Sequence, residues 1–257
     1  MSLPGLRPDW PAPPAVAAFM STRLGGVSAA PWDSLNVGMA VGDDALAVAE
    51  NRRRLAEQLG VPPVWLRQVH GTRVVRVGAA DLDCPAPMAD AAWTDEVGVA
   101  CTVQVADCLP LLLARADGLA VAAVHAGWRS LAGGIVAATL DALCAGSGGG
   151  SRRAEVLAWL GPCIGPRQFE VGADVLAAFG ADPAQPDAQR FNPRPRADGS
   201  ARWLANLAQL TRDSLQAAGV ECITGAGECT VEDASRFFSY RRDGVSGRMV
   251  VAVWRRP

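Results

Sequence analysis

The sequence predicts a single α+β domain spanning residues 1–257 and built on mixed β-sheet. Three observations carry that prediction. Hydrophobic residues make up 50% of the 257 residues and charged residues 19%, which supplies one sizeable core and leaves little for long disorder. Runs rich in β-branched residues and stretches of helical periodicity both occur. Their order does not alternate strictly, as a doubly wound parallel fold requires.

The elements follow in chain order. Residues 1–15 are proline-rich and read as an extended arm. Residues 17–21 read as a strand, and 22–28 as a loop in which Gly25 and Gly26 permit unusual dihedrals. A helix is expected over 43–59, with Asp44 as N-cap, Gly60 as stop and Pro62-Pro63 barring continuation. Residues 64–70 and 73–77 read as strands broken at Gly71, and 97–105 as another. Two further strands, 109–114 and 119–125, are joined by Arg115-Ala116-Asp117-Gly118, which ends in turn chemistry. A four-residue loop there places Cys108 opposite His125 on one face; a two-residue turn at Asp117-Gly118 pairs Cys108 with Gly127 instead. Beyond come a helix over 130–144 capped near Ser130, a flexible loop at 146–150, a strand at 155–160 and a short helix at 172–179. A long loop at 181–201 precedes an amphipathic helix over 203–218, closed by Gly219. The last unit reads as hairpin-like, with residues 236–242, a turn at Asp243-Gly244 and a strand at 248–254.

Composition excludes several functions. A net charge of −2 offers no electrostatic footprint for nucleic acid. All 24 basic residues are arginine, so lysine chemistry is absent and any anion must be held by guanidinium or backbone N–H groups. The Gly-rich 146–150 stretch lacks the lysine of a P-loop. The seven cysteines are odd in number and irregularly spaced. No charged segment followed by an apolar run opens the chain, and no 18-residue apolar stretch occurs. A reduced cytoplasmic protein with free thiols, bound to no membrane, is expected.

Only two histidines occur, His70 and His125, with Cys108 between them. Two imidazoles and a thiolate make a three-ligand zinc site with a fourth position open. The same Cys108–His125 pair also suits a nucleophilic cysteine and its base, and a buried thiol with two satisfied histidines is the plainer alternative. Copper oxidation is not expected, because a multicopper centre consumes about ten imidazoles. Asp107 is positioned in sequence to orient an imidazole. A helix beginning near Ser130 would offer N–H groups to an anion. Arg129, Arg241 and Arg242 are candidate anion clamps, and Glu170 a candidate general base.

Eight stretches together resemble one family. They are Thr22-Arg23-Leu24-Gly25-Gly26-Val27-Ser28, Ser34-Leu35-Asn36-Val37-Gly38, Gln68-Val69-His70-Gly71, Ala106-Asp107-Cys108-Leu109-Pro110, His125-Ala126-Gly127-Trp128-Arg129, Gly161-Pro162-Cys163-Ile164-Gly165, Phe169-Glu170-Val171-Gly172 and Phe237-Phe238-Ser239-Tyr240-Arg241-Arg242. In that order they are similar to the YfiH-like group, historically labelled polyphenol oxidoreductase laccase and regarded as broad-specificity purine nucleoside phosphorylases. The resemblance implies an α/β/β/α layered sandwich, shared with the deamidating domain of cytotoxic necrotizing factor toxins. It implies one zinc per chain on His70, Cys108 and His125. It further implies phosphorolysis of adenosine, inosine, guanosine and methylthioadenosine with phosphate as co-substrate, and adenosine deamination as a second activity. A role in peptidoglycan-precursor editing is also attached to bacterial members. On this basis Cys108, His125, Arg129 and Glu170 are expected to be catalytic, and Gln68, Arg23, Asn36 and Arg241 to contact substrate. The chain departs from the pattern at Ala40, where many members carry His, and at Val105, where many carry Thr. Two rivals remain: a cysteine hydrolase acting on a muropeptide-like substrate through Cys108 and His125, and a non-catalytic binding protein of the same fold. Preferred nucleoside and oligomeric state are left open.

Overall fold

Two β-sheets stacked face to face, each covered outside by helix, make up the computed structural model, which describes residues 2–146 and 151–257. In chain order the elements are β1 (Gly5–Leu6), β2 (Val16–Ser21), α1 (Ala45–Leu59), β3 (Pro63–Val64), β4 (Val74–Arg76), β5 (Ala91–Thr94), β6 (Ala100–Val105), β7 (Leu109–Arg115) and β8 (Val121–Ala126). There follow α2 (Trp128–Ala132), α3 (Ile135–Ala145), β9 (Val156–Leu160), β10 (Glu170–Val171), α4 (Ala173–Ala178), β11 (Phe191–Pro193), β12 (Trp203–Ala205), α5 (Leu207–Ala217), β13 (Cys222–Gly225), α6 (Tyr240–Asp243) and β14 (Met249–Arg255). One sheet runs β1-β2-β14-β6-β3 and the other β13-β9-β7-β8-β5-β4, both mixed in direction. A small third sheet, β10-β12-β11, stands apart in pairing.

The layering follows from the strand sequences. All seven residues of β7 are buried, and so are all six of β8, because alternate side chains enter different cores. Leu111, Leu113 and Val124 join Ile135, Leu140, Leu210 and Leu215 beneath α3 and α5. Leu112, Ala114, Val121 and Ala123 meet Met20, Val103, Val251 and Val253 between the sheets. On the far side α1 lays Leu55 and Leu59 against Val250 and Ala252. Each fully buried aliphatic side chain contributes about 1.5–3 kcal/mol. The α/β/β/α order and the mixed sheets match the expectation. No described helix is long and apolar enough to cross a membrane.

Several boundaries differ, each for a physical reason. Residues 65–70 leave the sheet after Val64, and His70 takes a left-handed conformation with φ 59°. Strand β5 was not foreseen. The helix expected over 130–144 starts at Trp128 and divides at Gly133-Gly134, where Gly134 has φ +91° and a Cβ on Gly133 would lie 2.7 Å from Thr72 Cγ2. Trp203–Ala205 pairs as a strand with β10 and β11, and helix begins only where Asn206 accepts from Gln209 N (3.1 Å). The expected loop at 181–201 contains β11. Residues 236–242 form no hairpin strand: the Ser239 hydroxyl accepts from Arg242 N (3.2 Å) and caps α6. The expected arm is partly sheet, since Gly5 and Leu6 pair with Ser21 and Met20. The loop foreseen at 146–150 lies, beyond Gly146, outside the described residues.

The β7–β8 register also differs. Ala114 pairs with Val121 and Pro110 with His125, so the four-residue loop is Ala116–Leu119 and not Arg115–Gly118. This is the register of the two-residue-turn alternative. A shift of two residues preserves the face. Pro110, not Cys108, therefore stands opposite His125, and Cys108 sits two pairs further along, level with Gly127.

Candidate metal centre

His125 belongs to the face of β8 that carries Val121 and Ala123, so it points into the space between the sheets at their open end. It is 4% exposed. Strand β5 runs antiparallel to β8 with Ala91 opposite Val124, which brings Asp90 level with His125; His125 N donates to Asp90 O (2.8 Å). The Asp90 carboxylate then lies 2.8 Å from His125 Nδ1, leaving Nε2 for a metal. The same fully buried carboxylate accepts N–H bonds from Val69 (3.1 Å), His70 (2.9 Å) and Gly71 (2.7 Å). One side chain thus fixes both the loop bearing His70 and the ring of His125. Its hydrogen bonds from His125 and the backbone outweigh burial and lower its pKa.

Cys108 follows Asp107, whose φ of +88° turns the chain at the start of β7. Its Sγ lies 3.7 Å from His70 Nε2, and the His70 and His125 rings meet edge-on at 4.7 Å between centroids. The three ligand atoms all fall within 4.8 Å of one another. Ligand atoms around a tetrahedral zinc are separated by roughly 3.3–3.8 Å, so a small closure completes the set. Burial pushes the Cys108 thiol up, but the neighbouring imidazoles outweigh it and bring the pKa down to about 6. Burial pulls His125 down, yet Cys108 and Asp90 raise it to about 9. A thiolate and a cation-accepting cluster is the chemistry of a metal-binding donor set.

Gly127 completes the cradle. A Cβ there would lie 2.9 Å from His70 Cδ2 and 3.1 Å from Cys108 Sγ. Its backbone angles, φ −67° and ψ 156°, suit any residue. The absent side chain is therefore required by the cluster and not by the backbone. Gly127→Ala is expected to lower metal affinity by about tenfold or more, on the scale of lost ligand support, with the melting temperature of the metal-free protein nearly unchanged. Metal titration of the two proteins by competition with a chromogenic chelator checks this; equal affinities would overturn it.

The cluster opens into a cleft of about 790 Å³. Gln68, Arg129 and Arg241 line it with the three ligands, as do Ala40, Arg52, Trp65, Phe169, Tyr240 and Arg248. Gln68 is tied to the Gln104 backbone at both ends of its amide (2.9 and 2.7 Å). Arg129 stacks on Trp128 at 4.3 Å. Asp107 does not orient an imidazole: it accepts from Thr230 Oγ1 (2.6 Å) and Arg241 N (2.7 Å), tying α6 to Cys108. Asp90 performs the orienting role. Arg23 and Asn36 are not brought to the cleft. Arg23 pairs with Asp33 and stacks on Phe238 (4.8 Å). Asn36 is fully buried and bonds Asp43 (2.8 Å) and Arg248 N (2.8 Å). The Glu170 carboxylate is held by Arg196, which lowers its pKa, and faces a neighbouring basic cavity. Arg242 spends its guanidinium on Asp243 and on the carbonyls of Thr230, Val231 and Phe237.

Comparison with known proteins places the chain in one family. The family model described as multi-copper polyphenol oxidoreductase laccase matches residues 17–256. A purine nucleoside phosphorylase of Pseudomonas aeruginosa is 49% identical over 249 residues, covering 97% of each chain. Purine nucleoside phosphorylase YfiH of Escherichia coli is 43% identical, covering 96% of this chain and 97% of its own. The crystal structure of a Neisseria meningitidis protein superposes with a TM-score of 0.88 at 43% identity, over 98% of this chain and 99% of that one.

Proposed function

We propose that this chain, which belongs to the laccase-domain, YfiH-like family, is a zinc-dependent purine nucleoside phosphorylase. The observation that carries the reading is the make-up of the cleft around the His70, Cys108 and His125 cluster. Five arginines line it against a single carboxylate, Asp107, which is already engaged by two hydrogen bonds. Trp65, Trp128, Phe169 and Tyr240 add flat apolar walls. An aromatic base and a phosphate dianion suit such a lining.

In the reaction a phosphate oxygen bonds to C1′ of the ribose as the C1′–N9 bond breaks, releasing purine and ribose 1-phosphate. Adenosine, inosine, guanosine and methylthioadenosine share that bond. His70, Cys108 and His125 would hold the zinc, which supplies Lewis acidity when bound. Arg129 and Arg241 are the phosphate ligands: Arg129 stacks on Trp128, and Arg241 on Phe169 (5.4 Å) while donating to Glu170 O (3.0 Å). Arg52, stacked on Trp65 at 3.9 Å, adds positive charge at the rim. Adenosine deamination is a second activity of the same site. Despite the family's description, two histidines cannot furnish a multicopper centre.

The protein incubated with adenosine is expected to release adenine only when phosphate is present, and to lose that activity after dialysis against a strong chelator. Phosphate-independent release, or none, would sink the assignment. The second reading, a cysteine hydrolase, is favoured by the contact of Cys108 with two imidazoles, one of them oriented by Asp90. It predicts activity that thiol alkylation destroys and chelation spares.

A further inference from the structure

A second cavity, of about 550 Å³, adjoins the metal cleft through Arg241, which lines both. Five guanidinium groups, those of Arg167, Arg194, Arg196, Arg202 and Arg241, line it with one carboxylate, Glu170. Two are neutralised in place, Arg196 by Glu170 and Arg167 by Glu232. Arg241 donates Nη1 to Glu170 O (3.0 Å) and Gln168 O (3.5 Å), which fixes its direction without cancelling its charge. Arg194 and Arg202 end in no ion pair among the described residues.

The backbone forces these last two together. Pro193 pairs with Trp203 in the β11–β12 ladder, and Arg194 N donates to Arg202 O (2.7 Å), so the next rung sets Arg194 directly opposite Arg202. Like charges in that position repel. The chain carries more acidic than basic residues, yet Glu170 is the only carboxylate in the lining. An anion with two or more charged oxygens, held bidentately, converts the repulsion into attraction. Arg241 links this cavity to the reaction site, because its backbone N is bound by Asp107, the neighbour of Cys108.

We infer that the basic cavity binds phosphate dianion, supplied as inorganic phosphate or as the phosphate end of a phosphorylated nucleoside whose base lies in the metal cleft; the second source rests on the nucleoside reading above. The site lies beyond the His70, Cys108 and His125 cluster and uses as anchors Arg194 and Arg202, which feel Glu170 (and, for Arg202, Asp198) at a distance but close no ion pair with either.

Calorimetric titration tests it, with inorganic phosphate and adenosine 5′-diphosphate as probes at fixed ionic strength. The parent chain, the Arg194→Gln/Arg202→Gln double variant and Arg152→Gln, an exposed arginine remote in sequence, are compared. The double variant is expected to weaken binding by about tenfold or more, with metal content unchanged and Arg152→Gln matching the parent. Loss for both probes assigns the cavity to phosphate as such; loss for the diphosphate alone assigns it to a phosphorylated nucleoside. Equal affinities of parent and double variant, or a parent that binds neither probe, would overturn the inference. If the double variant loses the parent's circular dichroism, Arg202→Gln alone carries the same comparison. Binding is read without turnover, so a failure of adenosine phosphorolysis leaves this result standing and sinks only the catalytic assignment.

Discussion

Cys108→Ala is expected to strip the protein of metal and of turnover together while the fold stands. Cys108 is partly exposed at the mouth of β7, so removing its sulfur opens no core cavity. What it removes is the one anionic ligand, leaving two imidazoles where three donors are needed. Metal content should fall from about one zinc per chain to less than about a tenth, and the rate of adenosine phosphorolysis by about 10³-fold or more. Mass spectrometry of untagged protein, with thermal melting alongside, checks both. A variant that retains zinc or turns over within threefold of the parent would remove Cys108 from the site.

Asp90→Ala should damage the molecule more widely. The residue is fully buried, and its carboxylate satisfies three backbone N–H groups and the His125 ring. Truncation leaves all four donors without their acceptor. Losses of about 3–5 kcal/mol follow from breaking such a buried charged network, which for a chain of this size lowers the melting temperature by roughly 10 °C. Asp90→Asn keeps the volume but turns N–H groups toward N–H groups; it should fold and lose about 10- to 100-fold in metal affinity. Melting curves and metal titration separate the two effects. A stable Asp90→Ala protein with full metal affinity would show that the orienting bond is dispensable.

How much of this was legible in the sequence varies with the range of the interaction. Local signals read well: the Asp44 cap accepting from Ala47 N (2.8 Å) and the left-handed Gly60 end α1 as expected. The three candidate ligands, His70, Cys108 and His125, were named from type and scarcity, and they cluster. The register was not legible, because Asp117-Gly118 suits two loop lengths and the two registers differ by two residues, which leaves Leu111, Leu112 and Leu113 on the same faces in both. Asp90 was missed because β5 was missed: Ala91-Ala92-Trp93-Thr94 is short and alanine-rich, and nothing local marks the carboxylate before it. Trp203–Ala205 looked helical because its period merges with α5, and only pairing with β10 and β11 makes it strand. Arg23 and Asn36 lie in conspicuous motifs, but these build the scaffold that carries Arg248 and Phe238 and do not reach the cleft.

The position of β14 has a consequence for how the molecule is made. This strand lies between β2 and β6, pairing Val251 with Met20 on one side and with Val103 on the other. Until Met249–Arg255 has been synthesised, β2 and β6 have no ladder between them and two apolar edges stay open. Contacts of such sequence separation carry a large loop-closure entropy and slow the search for the native topology. Chains that lack β14 therefore expose Met20, Val103 and their neighbours, and truncation before β14 leaves a sheet that cannot close. Closure of this sheet therefore waits on Met249–Arg255, and slower synthesis at low temperature or a holding chaperone should raise the yield of folded protein.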